Sequence, residues 1–190
     1  MAGHYGADPY YWDGGTNAPH ISRYFLARGW VMPGEVVLDA ACGSGYGTKL
    51  LALGAGKAIG YDVDAGCIEG ARRDLSHNVE FEVKDLDKCE LPEVDVIVSI
   101  ETIEHLNDMR HFTEEAKKKA RRLIIVTVPI GGTSYAYKDI PPGPGTEKND
   151  FLSDGAVDSL FVSQEWKIQA GFRFGYSYFG VYYKKNPERT

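Results

Sequence analysis

The sequence predicts one α/β domain, a doubly wound and mostly parallel sheet with helices on both faces, and three observations carry that prediction. Short apolar runs recur at 36–41, 57–64, 78–85, 94–100 and 122–129. Stretches with helical character separate them, which implies right-handed crossovers between parallel neighbours. The first run passes into a glycine turn that opens a helix, the end of such a sheet at which ligands bind.

In chain order, residues 1–34 are rich in Tyr, Gly, Trp, His and Pro and read as an N-terminal flap over the active site, with a helix only from about Pro19 to Arg28. Residues 35–190 form the main domain. VVLDAA (36–41) is nearly all apolar, as a strand covered on both faces should be. GSGYGTKLLALGA then reads as a turn and a helix packed through Leu50, Leu51 and Leu53 and ended by Gly54 and Gly56. KAIGYDVD is the second strand, AGCIEGARRDLS the second helix of this half, and NVEFEVKD an alternating third strand. VDVIVSI is a fourth strand, a helix follows near Asp108–Arg121, and RLIIVTVP is a fifth. Residues 131–150 hold too many Gly and Pro for regular structure and read as a lid or substrate loop inserted in the domain. A short helix near Ser153–Phe161 precedes an aromatic tail that alternates as two antiparallel strands around Phe172–Ser177.

Composition narrows the function. The 190 residues carry 21 Lys+Arg against 27 Asp+Glu, a net charge of −6, so there is no overall electrostatic footprint for nucleic acid and none is expected as a partner. The 43% of hydrophobic residues supply a proper core and exclude general disorder. No apolar run reaches the roughly 18 residues of a membrane span, and Met1-Ala2-Gly3-His4 lacks the features of a signal peptide, so a cytoplasmic protein is expected. Cys42, Cys67 and Cys89 have no CxxC spacing and read as reduced, mostly packing thiols, Cys42 as a small buried hydrophobe. Oligomerisation is left open.

The chemistry concentrates at strand ends. Gly43, Gly45 and Gly47 let backbone N–H groups approach a ligand. Their GxGxG spacing departs from the nicotinamide dinucleotide fingerprint, and no GK[ST] follows, so this is not a P-loop. Asp39 just before the turn is unwelcome beside a pyrophosphate but suits a ligand carrying an ammonium group with its carboxylate. Asp62, 17 residues after Gly45, ends the second strand where an acid hydrogen-bonds both hydroxyls of a ribose. Asp85 ends the third strand in VKDLD, where its carboxylate can accept from an adenine amino group while the backbone of Leu86 addresses a ring nitrogen. A solvated turn at Asp85 and a helix cap at Asp62 are the plain alternatives.

These residues make the sequence resemble the class I S-adenosylmethionine-dependent methyltransferases, from about Tyr11 to Lys185. VLDAACGSGYG, YDVD and KDLD match the family's first, second and adenine-binding motifs, and DVIVSIETIEHLND resembles the fourth motif of the branch that includes ubiquinone-pathway and sugar O-methyltransferases. The resemblance implies a Rossmann-like seven-stranded sheet of order 3-2-1-4-5-7-6 with the last strand antiparallel. It implies S-adenosylmethionine as cofactor, with Ala41, Val63 and Ser99 joining Asp39, Gly43, Gly45, Asp62, Asp85 and Leu86 around it. Arg23, with His20, could close over the cofactor carboxylate or be a surface charge. The activity implied is methyl transfer to a small-molecule acceptor, most directly an oxygen nucleophile, because VSIETIEH stands where a nucleic-acid amino methyltransferase carries [DNS]PP[YF]. A cofactor-binding module without transferase activity is the alternative.

Glu101, Glu104 and His105 are spaced i, i+3 and i+4, so a helical turn would put them on one face beside the switch point between the first and fourth strands. His105 is then a general base or a brace for a neighbouring loop. The ExxEH cluster is also similar to the metal ligands of a few methyltransferases. No histidine follows His111, a further ligand would have to come from His4, His20, His111 or water, and no metal is assigned. KKKARR (117–122) reads as a solvated helix end, and Tyr5, Tyr10, Tyr11 and Trp12 as a pocket lining or a packing group.

Overall fold

Strand alternation decides which side chains each face of the sheet buries, and the fold follows from that. The computed structural model describes residues 18–73, 77–130, 153–175 and 177–185. The 131–150 loop, His4 and the aromatic residues between Tyr5 and Trp12 lie outside these. The elements are α1 (Ala18–Arg28), β1 (Val36–Ala40), α2 (Tyr46–Ala52), β2 (Lys57–Asp62), α3 (Ala65–Ala71), β3 (Val79–Val83), β4 (Val94–Ile100), a 3₁₀ turn (Ile103–His105), α4 (Met109–Lys119), β5 (Ala120–Pro129), α5 (Asp154–Phe161), β6 (Trp166–Phe174) and β7 (Ser177–Lys184). The seven strands lie in the order β3-β2-β1-β4-β5-β7-β6. The first five are parallel, β7 runs antiparallel to β5, and β6 antiparallel to β7. The expected doubly wound sheet and strand order are both present.

On one face Leu38, Ala40, Ile97, Ile124 and Val126 pack with Phe112 and Ala116 of α4 and Val157 and Phe161 of α5. On the other, Val37, Val96, Val98, Ile125, Phe179 and Val181 pack with Leu51 of α2 and with Tyr24, Ala27 and Val31. The described part of the N-terminal segment packs into this core, because Tyr24 and Ala27, one helical turn apart, are both buried; most of the expected flap lies outside the described residues. The C-terminal hairpin joins the sheet through two close approaches. Added Cβ atoms at Gly171 and Gly180 would strike Tyr178 and Tyr182, whose hydroxyls both donate to Asp158 of α5, at 2.8 and 2.7 Å.

Three expectations fail locally. Leu53 is 70% exposed, since α2 stops at Ala52 and only Leu51 points fully inward. The α4 helix stops at Lys119, and Ala120–Arg122 already belong to β5. KKKARR is therefore split. Its lysines sit in the last helical turn with acidic partners, while Arg122 pairs with Glu35 and donates to the Trp30 carbonyl at 2.8 Å, tying β5 to the loop after α1.

Candidate functional site

The turn after β1 holds Ala41, Gly43 and Gly45 in left-handed backbone conformations, with φ of 66°, 53° and 79°. Its ends are pinned by Cys42 N–H donating to Tyr61 O at 2.8 Å and Gly45 N–H to Cys42 O at 2.9 Å. The glycines serve different ends. A Cβ on Gly45 would lie 2.5 Å from the Phe81 ring and 2.7 Å from Ala71 Cβ, and one on Gly47 would enter the ring of Tyr24. Both let helices pack closely. Among the described residues a Cβ on Gly43 would meet nothing within 4 Å, so Gly43 fronts open space there. Beside it Ser44 is buried and its hydroxyl has no hydrogen-bond partner among the described residues. Cys42 is buried as expected, and its burial pushes the thiol pKa far up, so it is an inert packing group.

Asp62 closes β2 at the rim of that space. Its two carboxylate oxygens accept the N–H groups of Gly43 at 2.8 Å and Asp64 at 2.9 Å, which fixes its orientation without closing its remaining lone pairs. Val63 beside it is 63% exposed, an apolar surface next to a half-buried carboxylate. The helix-cap role goes to Asp64, which accepts from Gly66 and Cys67. At the end of β3, Asp85 accepts from Lys88 Nζ at 2.6 Å and from Asp87 N–H at 3.1 Å, and chiefly the Lys88 hydrogen bond holds its pKa below the usual carboxylate value. Leu86 is buried. Asp87 accepts from Asn107 and from Asp108 N–H, at 2.5 and 2.8 Å, and so ties this loop to the one after β4.

Asp39 lies deeper than its motif suggests. Period-2 alternation puts it on the face covered by α1 and α2, fully buried, where it accepts from Thr48 Oγ1 at 2.7 Å and from Tyr24 OH at 3.1 Å. Burial pushes its carboxyl up to about 7, against the pull of those two hydrogen bonds and with the charge of Asp62 adding to the rise. His20 and Tyr46 are hydrogen-bonded neighbours, and their rings cluster edge-on with Tyr24. Burial first, then the charge of Arg23, lowers His20 to about 4, so it is neutral in ordinary buffers.

The ETIEH segment does not form one face. Glu101 has φ 50°, so the chain leaves β4 through a left-handed residue before the 3₁₀ turn begins. That reversal sends Glu101 away from Glu104 and His105. Glu104 is 1% exposed, and His105 has 43% of its side chain exposed, 3.8 Å from Glu104 Oε1. Glu101 reaches the other way, accepting from Ser177 Oγ at 2.9 Å and lying 3.5 Å from Arg23 Nε. Arg23 is no surface charge. It is 7% exposed and donates to Ser177 Oγ at 2.8 Å. Among the described residues no group of three His, Cys, Asp or Glu side chains could hold a metal. Ser99, at the end of β4, is fully buried, and its hydroxyl has no hydrogen-bond partner among the described residues. Sequence reasoning missed Ser177, Tyr24 and Thr48. Tyr24 falls one turn after His20 and could have been found from helical spacing; nothing local marks Ser177.

Residues 37–122 match a family described as a methyltransferase domain. A probable S-adenosylmethionine-dependent methyltransferase of Mycobacterium tuberculosis is 33% identical over 135 residues, which cover 66% of this chain and 48% of that protein. The chain spans about half the length of the curated relatives it matches. Among solved structures, magnesium protoporphyrin IX methyltransferase from Synechocystis PCC 6803, crystallised with bound S-adenosylhomocysteine, superposes with a TM-score of 0.70 at 16% identity, covering 88% of this chain and 84% of that one. An S-adenosylmethionine-dependent methyltransferase from Aquifex aeolicus superposes with a TM-score of 0.63 at 22% identity, covering 87% and 88%.

Proposed function

We propose that the chain is a class I S-adenosylmethionine-dependent methyltransferase that moves a methyl group from S-adenosylmethionine to a small-molecule acceptor, with an oxygen nucleophile favoured; its match to a methyltransferase-domain family and its likeness to probable S-adenosylmethionine-dependent methyltransferases support that reading. The observation that carries the reading is the open space over Gly43, bordered by the backbone-anchored carboxylate of Asp62. Those residues fit a nucleoside. Asp62 accepts from two ribose hydroxyls, exposed Val63 offers an apolar surface to a flat base, and left-handed Ala41 and Gly43 let backbone approach. Asp85 and the Leu86 backbone take the adenine edge, with Asp85 first giving up part of its hold on Lys88. Arg23 faces the cofactor carboxylate, and Ser99 and Gly45 shape the floor. Asp39, fully buried and held by Thr48 and Tyr24, acts on the ligand's ammonium group only through the turn it braces.

When bound, S-adenosylmethionine supplies a methyl group already activated by a sulfonium. The protein's work is then to align the nucleophile and keep water out. In this reading His105, partly exposed beside buried Glu104, takes a proton from an acceptor hydroxyl, and Glu101 is the second polar group at the end of β4. An acidic chain with VSIETIEH at this strand end supports a small acceptor over a nucleic acid.

The test has two stages. Thermal shift should show stabilisation by S-adenosylmethionine and its demethylated product and none by NAD or NADP. Incubation with methyl-labelled cofactor and a panel of phenols, hydroxy acids and sugars should then transfer label to at least one of them. Stabilisation by NAD alone would overturn the cofactor assignment. Tight cofactor binding with label moving only to protein or nucleic acid would overturn the acceptor class.

A further inference from the structure

Three elements far apart in the chain bring one incompletely satisfied polar cluster together: α1 supplies Arg23, the end of β4 supplies Glu101, and the start of β7 supplies Ser177. The Ser177 hydroxyl is the bridge, accepting from Arg23 Nη2 at 2.8 Å and donating to Glu101 Oε2 at 2.9 Å. Both Arg23 and Ser177 are almost wholly buried, 7% and 1% exposed. Burying a guanidinium is costly unless its donors are all used. Here one is used only loosely: Arg23 Nε and Glu101 Oε1 form an ion pair at 3.5 Å, and neither atom makes a hydrogen bond among the described residues. The backbone of Glu101 is also held in the left-handed region, with its N–H given to the carbonyl and hydroxyl oxygens of Thr127, at 3.0 and 3.1 Å. Arg23 in turn lies close enough to the glycine turn for its charge to be felt by His20 and by Tyr46, the residue after Gly45.

We infer that Arg23 is shared: Glu101 and Ser177 hold it in the ligand-free protein, and the cofactor's carboxylate competes with Glu101 for it, so that cofactor binding releases Glu101 toward the acceptor. The inference rests on the cofactor reading above and adds to it a positioning pair, Glu101 and Ser177, and an order of events. Among the described residues Arg23 Nε and Glu101 Oε1 hold each other only through an ion pair without a hydrogen bond, so an incoming carboxylate can compete for the first and a donor-bearing substrate for the second. The acceptor that suits this arrangement presents a hydroxyl or an amine to Glu101 after the cofactor has taken Arg23.

Competition has a signature that a merely structural cluster lacks. The experiment is calorimetry of S-adenosylhomocysteine, which carries the carboxylate, and of 5′-methylthioadenosine, which has the same nucleoside without it. Both are titrated into the wild-type protein and into Glu101→Gln and Ser177→Ala variants shown by melting to be folded. Glu101→Gln removes the competing charge and should tighten S-adenosylhomocysteine by about 3–10-fold while leaving 5′-methylthioadenosine within about 2-fold. Ser177→Ala, which disturbs less, should tighten S-adenosylhomocysteine by about 2–5-fold, again without touching the shorter ligand. Unchanged or weaker S-adenosylhomocysteine binding in both variants, or equal effects on the two ligands, would overturn the sharing of Arg23 while leaving the cofactor reading intact. Failure of both ligands to bind the wild-type protein would overturn the cofactor reading, and the inference with it.

Discussion

The region made by β1, β2 and β3 and the region around the ends of β4 and β7 assemble their polar groups in opposite ways. In the first, each functional group sits on one strand end beside the residues that fix it: Asp62 is oriented by the N–H groups of Gly43 and Asp64, and Asp85 by Asp87 and Lys88. In the second, Ser177 meets partners 154 and 76 residues away in sequence. Local geometry can be written in a motif. A cluster closed by three distant elements cannot, and its chemistry changes whenever one element shifts.

The largest effect should come from breaking the packing of the first region. Gly45→Val places a branched side chain against Phe81 and Ala71 at a left-handed φ, and should lower unfolding free energy by roughly 3 kcal/mol or more in urea titrations. A fully stable variant would mean that the turn can shift and that its glycines are not a fixed frame.

Next comes Asp62→Ala, which should weaken S-adenosylhomocysteine at least about 100-fold, since charge-assisted hydrogen bonds are worth roughly 1.5–3 kcal/mol each. The same carboxylate anchors two backbone N–H groups, so the melting temperature should fall as well. Asp62→Asn should recover part of the stability and little of the binding.

The second region offers a kinetic contrast. If His105 is the base, His105→Ala should slow methyl transfer by roughly 10²–10⁴ while cofactor affinity changes only a few-fold. A small loss would leave alignment alone as the mechanism.

A smaller effect of opposite sign is expected at Ala41, whose φ of 66° strains a side-chain-bearing residue. Ala41→Gly should stabilise the fold by about 1 kcal/mol, less the entropy glycine returns to the unfolded chain.

The smallest effect is a pH balance between two neighbours behind the turn. Asp39 is raised from 3.8 to about 7, so its stabilising contribution is complete below 3.8 and is lost as pH rises through 7. His20 is lowered from 6.5 to about 4, so its contribution is present above 6.5 and is lost as pH falls through 4. Between about pH 4 and 6.5 the two slopes oppose. Calorimetric melting should therefore show Asp39→Asn losing stability with acid more steeply than wild type, and His20→Gln less steeply. Parallel curves for all three proteins would remove both assignments.

What the sequence made legible follows the same division. The strand order, the turn and Asp62 could be read because strand ends, glycines and short spacings obey local rules. Asp39 was readable in principle, because counting by two from Val37 puts it under α2 with Thr48, but its motif position drew attention forward to a ligand. The spread of Glu101, Glu104 and His105 was not readable, since it depends on one left-handed φ held by Thr127 from a neighbouring strand. Arg122 escaped its basic run for a similar reason, its partner Glu35 lying 87 residues away.

The central claim, that a nucleoside cofactor sits over Gly43, is tested most directly by titrating S-adenosylhomocysteine into Gly43→Ala. A Cβ there meets no atom of the described residues within 4 Å, so the variant should fold with only the roughly 1–2 kcal/mol cost of its left-handed φ. The expected result is a folded protein whose affinity drops at least about 10-fold, the added methyl filling space the ligand needs. A folded Gly43→Ala protein that binds S-adenosylhomocysteine as wild type does would contradict it.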